Sequence, residues 1–432
     1  MRVYLRALGC RLNQSEIDTM ARQFRGQGHE VVEDPAAADW VVVNTCAVTR
    51  EAGRKSRRLV RDVERANGGA QITVTGCYAQ LAPGEAAALP GVARVVDNLS
   101  KDSLVTQVTG VAVEPFELEP ALRAEGARGA AGRTRAFIKA QDGCDNACTF
   151  CITTVARGAG RSRPLADIVH EIRVLGALGY QEAVLTGVHL GSYGHDQGRP
   201  NGLAELVRAV LADTDIPRLR LSSLEPWDLE PDFFSLWENP RLCPHLHLPL
   251  QSGCDATLRR MLRRTSQAAF RQLVAAARAC VPDVSVTTDI IAGFPGETDA
   301  EFAASAAFVE EMAFAGLHIF RYSSRPGTAA ARMRGQIAEA TKRARSDQLH
   351  ALAARLEAQY ARRFVGRALP VLWEQVGGVQ QDGFINLGYT DNYMRVSCVH
   401  PRPLTNSIIP ARLDAFDGAL FAVTPMLGST AE

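Results

Sequence analysis

Three cysteines lie within one short stretch, and their spacing is the feature of the sequence that most clearly indicates chemistry. The stretch, residues 143–151, reads GCDNACTFC and contains Cys144, Cys148 and Cys151. An iron–sulfur cubane uses one thiolate for each iron. Three cysteines with no fourth nearby therefore predict a [4Fe-4S] cluster with one iron open to a substrate or cofactor. A structural zinc knot is the alternative, although zinc sites usually show paired CxxC units or added histidines.

Three further cysteines share a position relative to predicted strands. Cys10, Cys46 and Cys77 each follow the end of a strand, in the contexts LGCRLNQSE, NTCAVT and TGCYAQ. The carboxyl ends of parallel strands meet at one edge of a sheet, where ligands bind. These cysteines are therefore expected to converge and to hold a second three-thiolate cluster. Chance burial of three separate thiols is the alternative.

Both cysteine sets resemble those of a known family. The spacing of Cys144, Cys148 and Cys151, with Phe150 before the last, resembles the signature of the radical S-adenosylmethionine (SAM) enzymes. The contexts of the other three resemble the N-terminal domain of the methylthiotransferases, a radical SAM subfamily with two [4Fe-4S] clusters. The resemblance implies that the first cluster cleaves SAM reductively to a 5′-deoxyadenosyl radical. This radical would activate C2 of the substrate base, a modified adenosine in tRNA. The second would carry the sulfur to be inserted, which a second SAM methylates.

The family resemblance also implies positions for SAM and substrate. SAM is expected across the strand ends, in contact with Phe150, Gly187, Ser222 and Gln251. A basic helix at residues 51–65 follows the Cys46 loop, and its arginines are candidates for tRNA phosphates. A bidentate guanidinium would suit the carboxylate of the modified base. The candidate substrate contacts are Arg57, Arg58, Arg157 and Arg325.

The elements that must position these residues divide the chain into four parts. Strands and helices alternate over residues 1–112, which predicts an open parallel β/α sheet domain. Residues 113–133, rich in Pro, Ala, Gly and Arg, read as a linker. Residues 134–364 predict a partial (β/α)6 barrel of the radical SAM type. Short β-type runs over residues 365–428 predict a small β-barrel.

The barrel prediction rests on six strand candidates with helical segments between them. An active site is expected at their carboxyl ends, where the strings TGVHLGSYG, SSLEP, PLQSG, AGFPGE and YSSRPGT resemble those of the methylthiotransferases. The six candidates are residues 135–139, 182–186, 218–222, 245–249, 285–290 and 316–320.

The last predicted domain resembles an RNA-binding module. The string GYTDNYMRV at residues 388–396 resembles the TRAM module, which implies that Tyr389 and Tyr393 stack on RNA beside Arg395 and Arg402. The alternative is a plain β-barrel with tyrosines in its core.

The sequence indicates neither a membrane-spanning protein nor a small disulfide-stabilised one. The chain has 432 residues, of which 46% are hydrophobic and 22% charged, with a net charge of +1. No apolar run reaches the roughly 20 residues of a membrane span, and the N-terminus leads straight into a strand pattern, so a cytoplasmic protein is expected. Its 10 cysteines are too few for a disulfide scaffold.

The resemblance covers essentially the whole chain and implies a tRNA methylthiotransferase. The string LGCRLNQSE is most like the threonylcarbamoyladenosine type, whereas the isopentenyladenosine type usually reads GCQMN. Action on isopentenyladenosine in tRNA or on a ribosomal protein aspartate is the alternative within the family. A non-catalytic iron–sulfur RNA-binding protein is the alternative of another class, against which all six cysteines argue. One departure is CITTVARG in place of the usual CIIPYARG after Cys151.

The same resemblance implies partners. We expect tRNA, an electron donor of the flavodoxin or ferredoxin type, a sulfur source, no membrane and a monomer.

Overall fold

The N-terminal part is an open parallel sheet, as the sequence predicts, and it has five strands in the order β2-β1-β3-β4-β5. The computed structural model describes residues 1–113, 134–281 and 283–426. The predicted linker, residues 113–133, lies outside the described residues except for its first residue. The strands are β1 (Arg2–Ala7), β2 (Glu30–Val32), β3 (Trp40–Thr45), β4 (Gln71–Gly76) and β5 (Val92–Val95).

Helices cover both faces of this sheet, and the apolar run at residues 40–43 of its central strand, β3, packs against both helix layers. On one face, Val42 of β3 packs with Phe24 of α1; on the other, Val41 and Val43 pack with Val60 of α2. The continuous apolar run of β3 is therefore buried on both sides. The helices of this part are α1 (Arg11–Gly26), α2 (Arg50–Ala66), α3 (Cys77–Leu81), α4 (Pro83–Ala87) and α5 (Leu104–Thr109).

Six parallel strands form the partial barrel, and all six predicted strands are present. Three of them pair in the order β10-β9-β6 and three in the order β11-β12-β13. A bridge between Ser223 and His247 joins the two groups. The strands, with the small hairpin β7 and β8, are β6 (Arg135–Lys139), β7 (Gln141–Asp142), β8 (Arg161–Ser162), β9 (Glu182–Thr186), β10 (Arg218–Leu221), β11 (His245–His247), β12 (Ser285–Ala292) and β13 (Gly316–Arg321).

The barrel helices pack against the outside of these strands in one large apolar core. Leu206 and Val210 of α8 and Phe270 of α10 are fully buried there. The loop beyond Cys151, where the sequence departs from the family string, forms the short helix α6. The helices are α6 (Thr153–Arg157), α7 (Leu165–Ala177), α8 (Gly202–Asp213), α9 (Asp255–Arg260), α10 (Gln267–Cys280) and α11 (Asp299–Met312).

A long helix, α12 (Glu339–Arg362), leads into a closed barrel of five strands around the buried Trp373. A loop precedes α12. Gly335 has a φ of +74°, which interrupts helical geometry at that point. The barrel strands are β14 (Ala368–Gln380), β15 (Gly383–Thr390), β16 (Arg395–His400), β17 (Ser407–Phe416) and β18 (Phe421–Pro425).

The two tyrosines expected to stack on RNA lie at a junction between the folded parts. Tyr389 and Tyr393 stack on each other with ring centroids 5.0 Å apart. The Tyr393 hydroxyl accepts hydrogen bonds from Arg11 at 3.1 Å and Arg135 at 3.0 Å. These contacts place Tyr393 where all three folded parts meet, rather than on the outer face of the small barrel.

Two smaller findings complete the fold. Of the four cysteines outside the two groups, Cys243, Cys254 and Cys398 are buried and Cys280 is exposed. None of the described helices has the length and apolar character needed to cross a membrane.

Candidate active site

Cys10, Cys46 and Cys77 lie together at the carboxyl edge of the N-terminal sheet. They follow β1, β3 and β4, which are adjacent in the sheet. Gly9 permits the close approach, because its φ is +96° and a Cβ atom there would lie 2.7 Å from the sulfur of Cys46. A side chain at position 9 would therefore separate the first two cysteines.

Burial keeps the Cys46 thiol protonated in the absence of a metal. It raises the pKa of Cys46 to about 11, and the neighbouring Cys10 and Cys77 raise this pKa further. Three clustered thiols favour metal binding, since a metal ion replaces their protons with a stronger positive charge.

The second set, Cys144, Cys148 and Cys151, is held in the loop between β7 and α6. The backbone N–H of Asn146 donates to the sulfur of Cys144 at 3.4 Å, and that of Thr153 donates to the sulfur of Cys151 at 3.3 Å. Arg263 donates to the sulfur of Cys148 at 3.7 Å. Hydrogen bonds of this kind stabilise the negative charge of thiolates that ligate iron.

Glycine is also required at the start of this loop. Gly143 has a φ of +70°, and a Cβ atom there would lie 1.8 Å from the carbonyl oxygen of Ala159. The adjacent N–H of Cys144 donates to the carbonyl of Gly158 at 3.0 Å. The loop is thus closed against the chain that follows α6. The donor sets of both cysteine groups, three thiols each, fit a [4Fe-4S] cluster with one iron free.

Two neighbouring cavities connect the cysteine groups. The larger, of about 880 Å³, is lined by Cys10, Cys46 and Cys77 together with strand ends of the barrel. The smaller, of about 310 Å³, is lined by Cys144, Cys148 and Cys151. Val48, Thr153, Val188, Ser223, Asp289 and Phe320 line both cavities.

The four predicted SAM contacts divide between these cavities. Phe150 and Gln251 line the smaller cavity, beside the barrel cysteines. Gly187 and Ser222 line the larger one, and the hydroxyl of Ser222 is buried with no hydrogen-bond partner among the described residues. Phe150 and Gln251 therefore lie where a molecule bound at the barrel cysteines would contact them. Gly187 and Ser222 face the space between the two cysteine groups.

Arg157 has a different position from the one expected of a substrate-binding residue. Its guanidinium is buried and donates to Glu16 at 3.0 Å, Asp142 at 2.9 Å and Asn13 at 2.6 Å. Its charge is already balanced by two carboxylates. The expectation that Arg157 binds a substrate carboxylate is therefore corrected. Arg157 instead links the N-terminal sheet domain to the barrel.

Arg57 and Arg325 do lie together near the N-terminal cysteines. Burial lowers the pKa of Arg325, and the nearby guanidiniums of Arg50 and Arg57 lower it further, while Cys46 opposes them. The Nε atom of Arg325 is buried with no hydrogen-bond partner among the described residues. Arg58 points away, with 80% of its side chain exposed. The site beside Cys46 thus carries excess positive charge suited to an anionic group.

A buried pair that the sequence did not predict lies beside the barrel cysteines. His189 contacts Asp228 at 2.5 Å through Nε2, and its Nδ1 lies 3.3 Å from the side-chain nitrogen of Asn146. Burial opposes protonation, but Asp228 and Cys144 outweigh it and raise the pKa of His189 to about 10. His189 belongs to the string TGVHLGSYG, which could have indicated it as a site residue. Asp228 lies in none of the strings that resemble the family, so no sequence signal pointed to it.

Comparison with known families and proteins matches both halves of this site. The model described as "Uncharacterized protein family UPF0004" matches residues 2–97, and the Radical SAM superfamily model matches residues 138–309. The first match contains Cys10, Cys46 and Cys77, and the second contains Cys144, Cys148 and Cys151.

Curated relatives match over nearly the whole chain. The threonylcarbamoyladenosine tRNA methylthiotransferase MtaB of Thermotoga maritima is 40% identical, over 91% of this chain and 90% of that protein. MtaB of Bacillus subtilis is 34% identical, over 95% of this chain and 93% of that protein. The tRNA-2-methylthio-N(6)-dimethylallyladenosine synthase of Maricaulis maris is 34% identical, over 87% of each chain.

Solved structures share the fold at lower identity. The radical SAM methyltransferase TsrM of Kitasatospora setae, solved with tryptophan and a SAM analogue, superposes with a TM-score of 0.58. It is 15% identical, over 76% of this chain and 75% of that one.

Proposed function

The chain belongs to the radical SAM methylthiotransferase family, and from this premise we propose that it acts on tRNA, converting N6-threonylcarbamoyladenosine next to the anticodon to its 2-methylthio derivative. Relatives named for that reaction match more than nine-tenths of the chain. The enzyme is thus a transferase that modifies tRNA.

The observation that carries this proposal is the position of the two cysteine groups. They line adjoining cavities that share six residues, so a base held in the larger cavity would lie between them. Methylthiolation needs such an arrangement, because one site must activate the carbon of the base while the other presents sulfur to it.

The cofactors are two [4Fe-4S] clusters and SAM. Cys144, Cys148 and Cys151 would hold one cluster, and Cys10, Cys46 and Cys77 the other. When bound, the barrel cluster supplies the electron that cleaves SAM. We propose that Phe150 and Gln251 position SAM against the barrel cysteines and that Gly187 and Ser222 line the path toward the base.

This chain's residues also prepare the site for an anionic substrate. Arg50, Arg57 and Arg325 place positive charge beside Cys46, and Arg325 retains an unpaired buried donor among the described residues. A phosphate or carboxylate would pair with that donor through a charge-assisted hydrogen bond. We propose that Arg57 and Arg325 contact the tRNA in this way, and that Arg58 contacts its backbone from the exposed face of α2.

The isopentenyladenosine reaction is the second candidate. A relative named for the dimethylallyl substrate is 34% identical over 87% of this chain. The larger cavity nevertheless has a polar wall, including His247, Asp289 and His318. A site with committed polar groups rejects an apolar analogue strongly, since its own groups would be left unpaired.

Further parts of the proposal concern organisation and partners. We propose that residues 1–112, 134–364 and 365–428 are separate domains and that the enzyme is a cytoplasmic monomer. An electron donor of the flavodoxin or ferredoxin type and a source of sulfur are its further partners, since the reaction consumes electrons and sulfur.

The proposal is tested by nucleoside mass spectrometry of tRNA from a strain that lacks this gene. We expect 2-methylthio-threonylcarbamoyladenosine to disappear while the 2-methylthio-isopentenyl derivative remains. Restoring the gene should restore the lost nucleoside, whereas a Cys148→Ala copy should not. Loss of the isopentenyl derivative alone would assign the protein to the second candidate reaction.

A further inference from the structure

Three potential metal ligands converge on the wall of the larger cavity, apart from both cysteine groups. His247, Asp289 and His318 offer one ligand atom each, and these atoms all lie within 4.8 Å of one another. The Nε2 atom of His247 is 3.2 Å from Oδ1 of Asp289, and the rings of His247 and His318 are 5.3 Å apart. All three side chains line the cavity that also contains Cys10, Cys46 and Cys77.

The register of the barrel strands explains this convergence. Asp289 of β12 is paired directly with His318 of β13, while Thr287 of β12 is paired with His247 of β11. Thr287 and Asp289 are two residues apart and therefore project from the same face of their strand. His247, Asp289 and His318 thus come from three adjacent strands and point into the same space.

A neighbouring hydroxyl can fix the orientation of the first histidine. The Nδ1 atom of His247 lies 2.9 Å from the Thr287 hydroxyl. If Nδ1–H donates to that oxygen, the lone pair of Nε2 faces Asp289 and the cavity. A hydrogen bond to the remote ring nitrogen is the usual means by which proteins orient a metal-binding histidine.

From these observations we propose that His247, Asp289 and His318 form a binding site for a divalent transition-metal ion of the zinc type, separate from the two iron–sulfur clusters. Two imidazoles and one carboxylate are ligands that zinc accepts, and three protein ligands leave a coordination position open. The ion would neutralise Asp289 and occupy the space between the SAM cavity and the N-terminal cysteines, since Asp289 lines both cavities.

The open position suggests a role for the ion, and this step rests on the proposed function. Threonylcarbamoyladenosine carries a carboxylate, which the isopentenyl group lacks. A carboxylate oxygen is a good ligand for zinc. The ion would therefore bind the substrate's carboxylate and distinguish it from the apolar substrate of the second candidate reaction.

The metal site is tested first without substrate. Cluster-loaded enzyme is dialysed anaerobically against micromolar Zn²⁺, and zinc and iron are measured per chain by mass spectrometry. We expect about one zinc with unchanged iron in the native enzyme and in His350→Gln, a control on the exposed face of α12. Asp289→Asn and His318→Gln should bind zinc at least tenfold more weakly. Equal zinc in all four proteins, or none in the native enzyme, would overturn the proposal.

X-ray absorption at the zinc edge identifies the ligands directly. Nitrogen and oxygen neighbours at about 2.0–2.1 Å support the site, whereas sulfur neighbours at about 2.3 Å would place the zinc on cysteines and contradict it.

The role in recognition is tested by binding of anticodon stem-loop RNA. Zinc should tighten binding of the threonylcarbamoyl form about tenfold in the native enzyme and leave the isopentenyl form unchanged. If zinc changes neither affinity, the ion has no role in recognition, although methylthiolation of tRNA by the same preparation would still support the proposed function. Absence of that product from the native enzyme would instead count against the proposed function.

Discussion

A buried ion pair between Arg157 and Glu16 joins the N-terminal sheet domain to the barrel at the level of single residues. Glu16 also pairs with Lys101 at 2.8 Å, and Arg157 pairs with Asp142 at 2.9 Å. Burial opposes ionisation of Glu16, but Lys101 and Arg157 outweigh it and lower its pKa. The helix that carries Arg157 follows the barrel cysteines directly, so this network fixes one cysteine group relative to the other.

Replacing Arg157 with Met should destabilise the protein by about 3–5 kcal/mol, because two carboxylates would lose a buried partner. Urea unfolding monitored by circular dichroism measures this change. Arg58→Met is the matched control, since the side chain of Arg58 is 80% exposed. Equal unfolding midpoints for the two variants would show that the network contributes nothing to stability.

The two cysteine groups should be separable by single substitutions. Cys148→Ala removes a ligand from the group beside the SAM cavity and should abolish reductive SAM cleavage. Cys46→Ala should leave 5′-deoxyadenosine formation largely intact and stop sulfur insertion. Both products are measured by liquid chromatography with mass spectrometry. A Cys46→Ala enzyme that retains iron at the barrel cysteines and still fails to cleave SAM would contradict the division of roles.

Among the larger elements, α2 presents a basic face next to the Cys46 loop. The side chains of Arg54 and Arg58 are 73% and 80% exposed, and their partners Glu51 and Asp62 are surface carboxylates. Exposed pairs of this kind contribute little and exchange readily. Arg57 instead lies over the ring of Tyr78, 5.4 Å from its centroid. The outward arginines of α2 are therefore available to the tRNA backbone.

Replacing Arg54, Arg58 and Arg61 together with Gln should reduce the salt dependence of tRNA binding. Each lost phosphate contact lowers the slope of log affinity against log salt by roughly 0.7–0.9, so three lost contacts should lower it by about 2 to 3. Filter binding between low and moderate salt measures the slope. Arg208→Gln, exposed on α8, is the control. An unchanged slope in the triple variant would show that these three arginines of α2 do not contact tRNA phosphates.

The sequence predicted elements better than it predicted contacts between them. All six barrel strands could be located because each is a short β-type run with a distinctive string after it, the cysteine loop after the first strand and a family string after each of the other five. Strand Glu30–Val32 lacked such a signal, since it has three residues at the edge of the sheet. The cysteines could be grouped because parallel strands share an edge. The pairing of Arg157 with Glu16 joins residues 141 positions apart, and no local pattern encodes it.

At the scale of the whole molecule, the three folded parts form one site rather than a chain of modules. Residues of the N-terminal sheet domain, the barrel and the small β-barrel all line the larger cavity, including Cys10, His247 and Tyr389. The sequence placed Tyr389 and Tyr393 on an RNA-binding surface because a family string marks them as functional. Their position at the junction depends on arginines from the other two parts, which the string cannot reveal.

Tyr393→Phe tests this junction. The substitution keeps the stacked ring but removes the hydroxyl that accepts hydrogen bonds from Arg11 and Arg135. Hydrogen bonds that involve a charged group contribute about 1.5–3 kcal/mol, so a lower melting temperature is expected. Because Arg11 directly follows Cys10, a chelator should also remove iron from the N-terminal cysteines faster than in native enzyme. Tyr389→Phe is the control: if both variants melt and lose iron alike, the Tyr393 hydroxyl does not couple the small β-barrel to the cluster site.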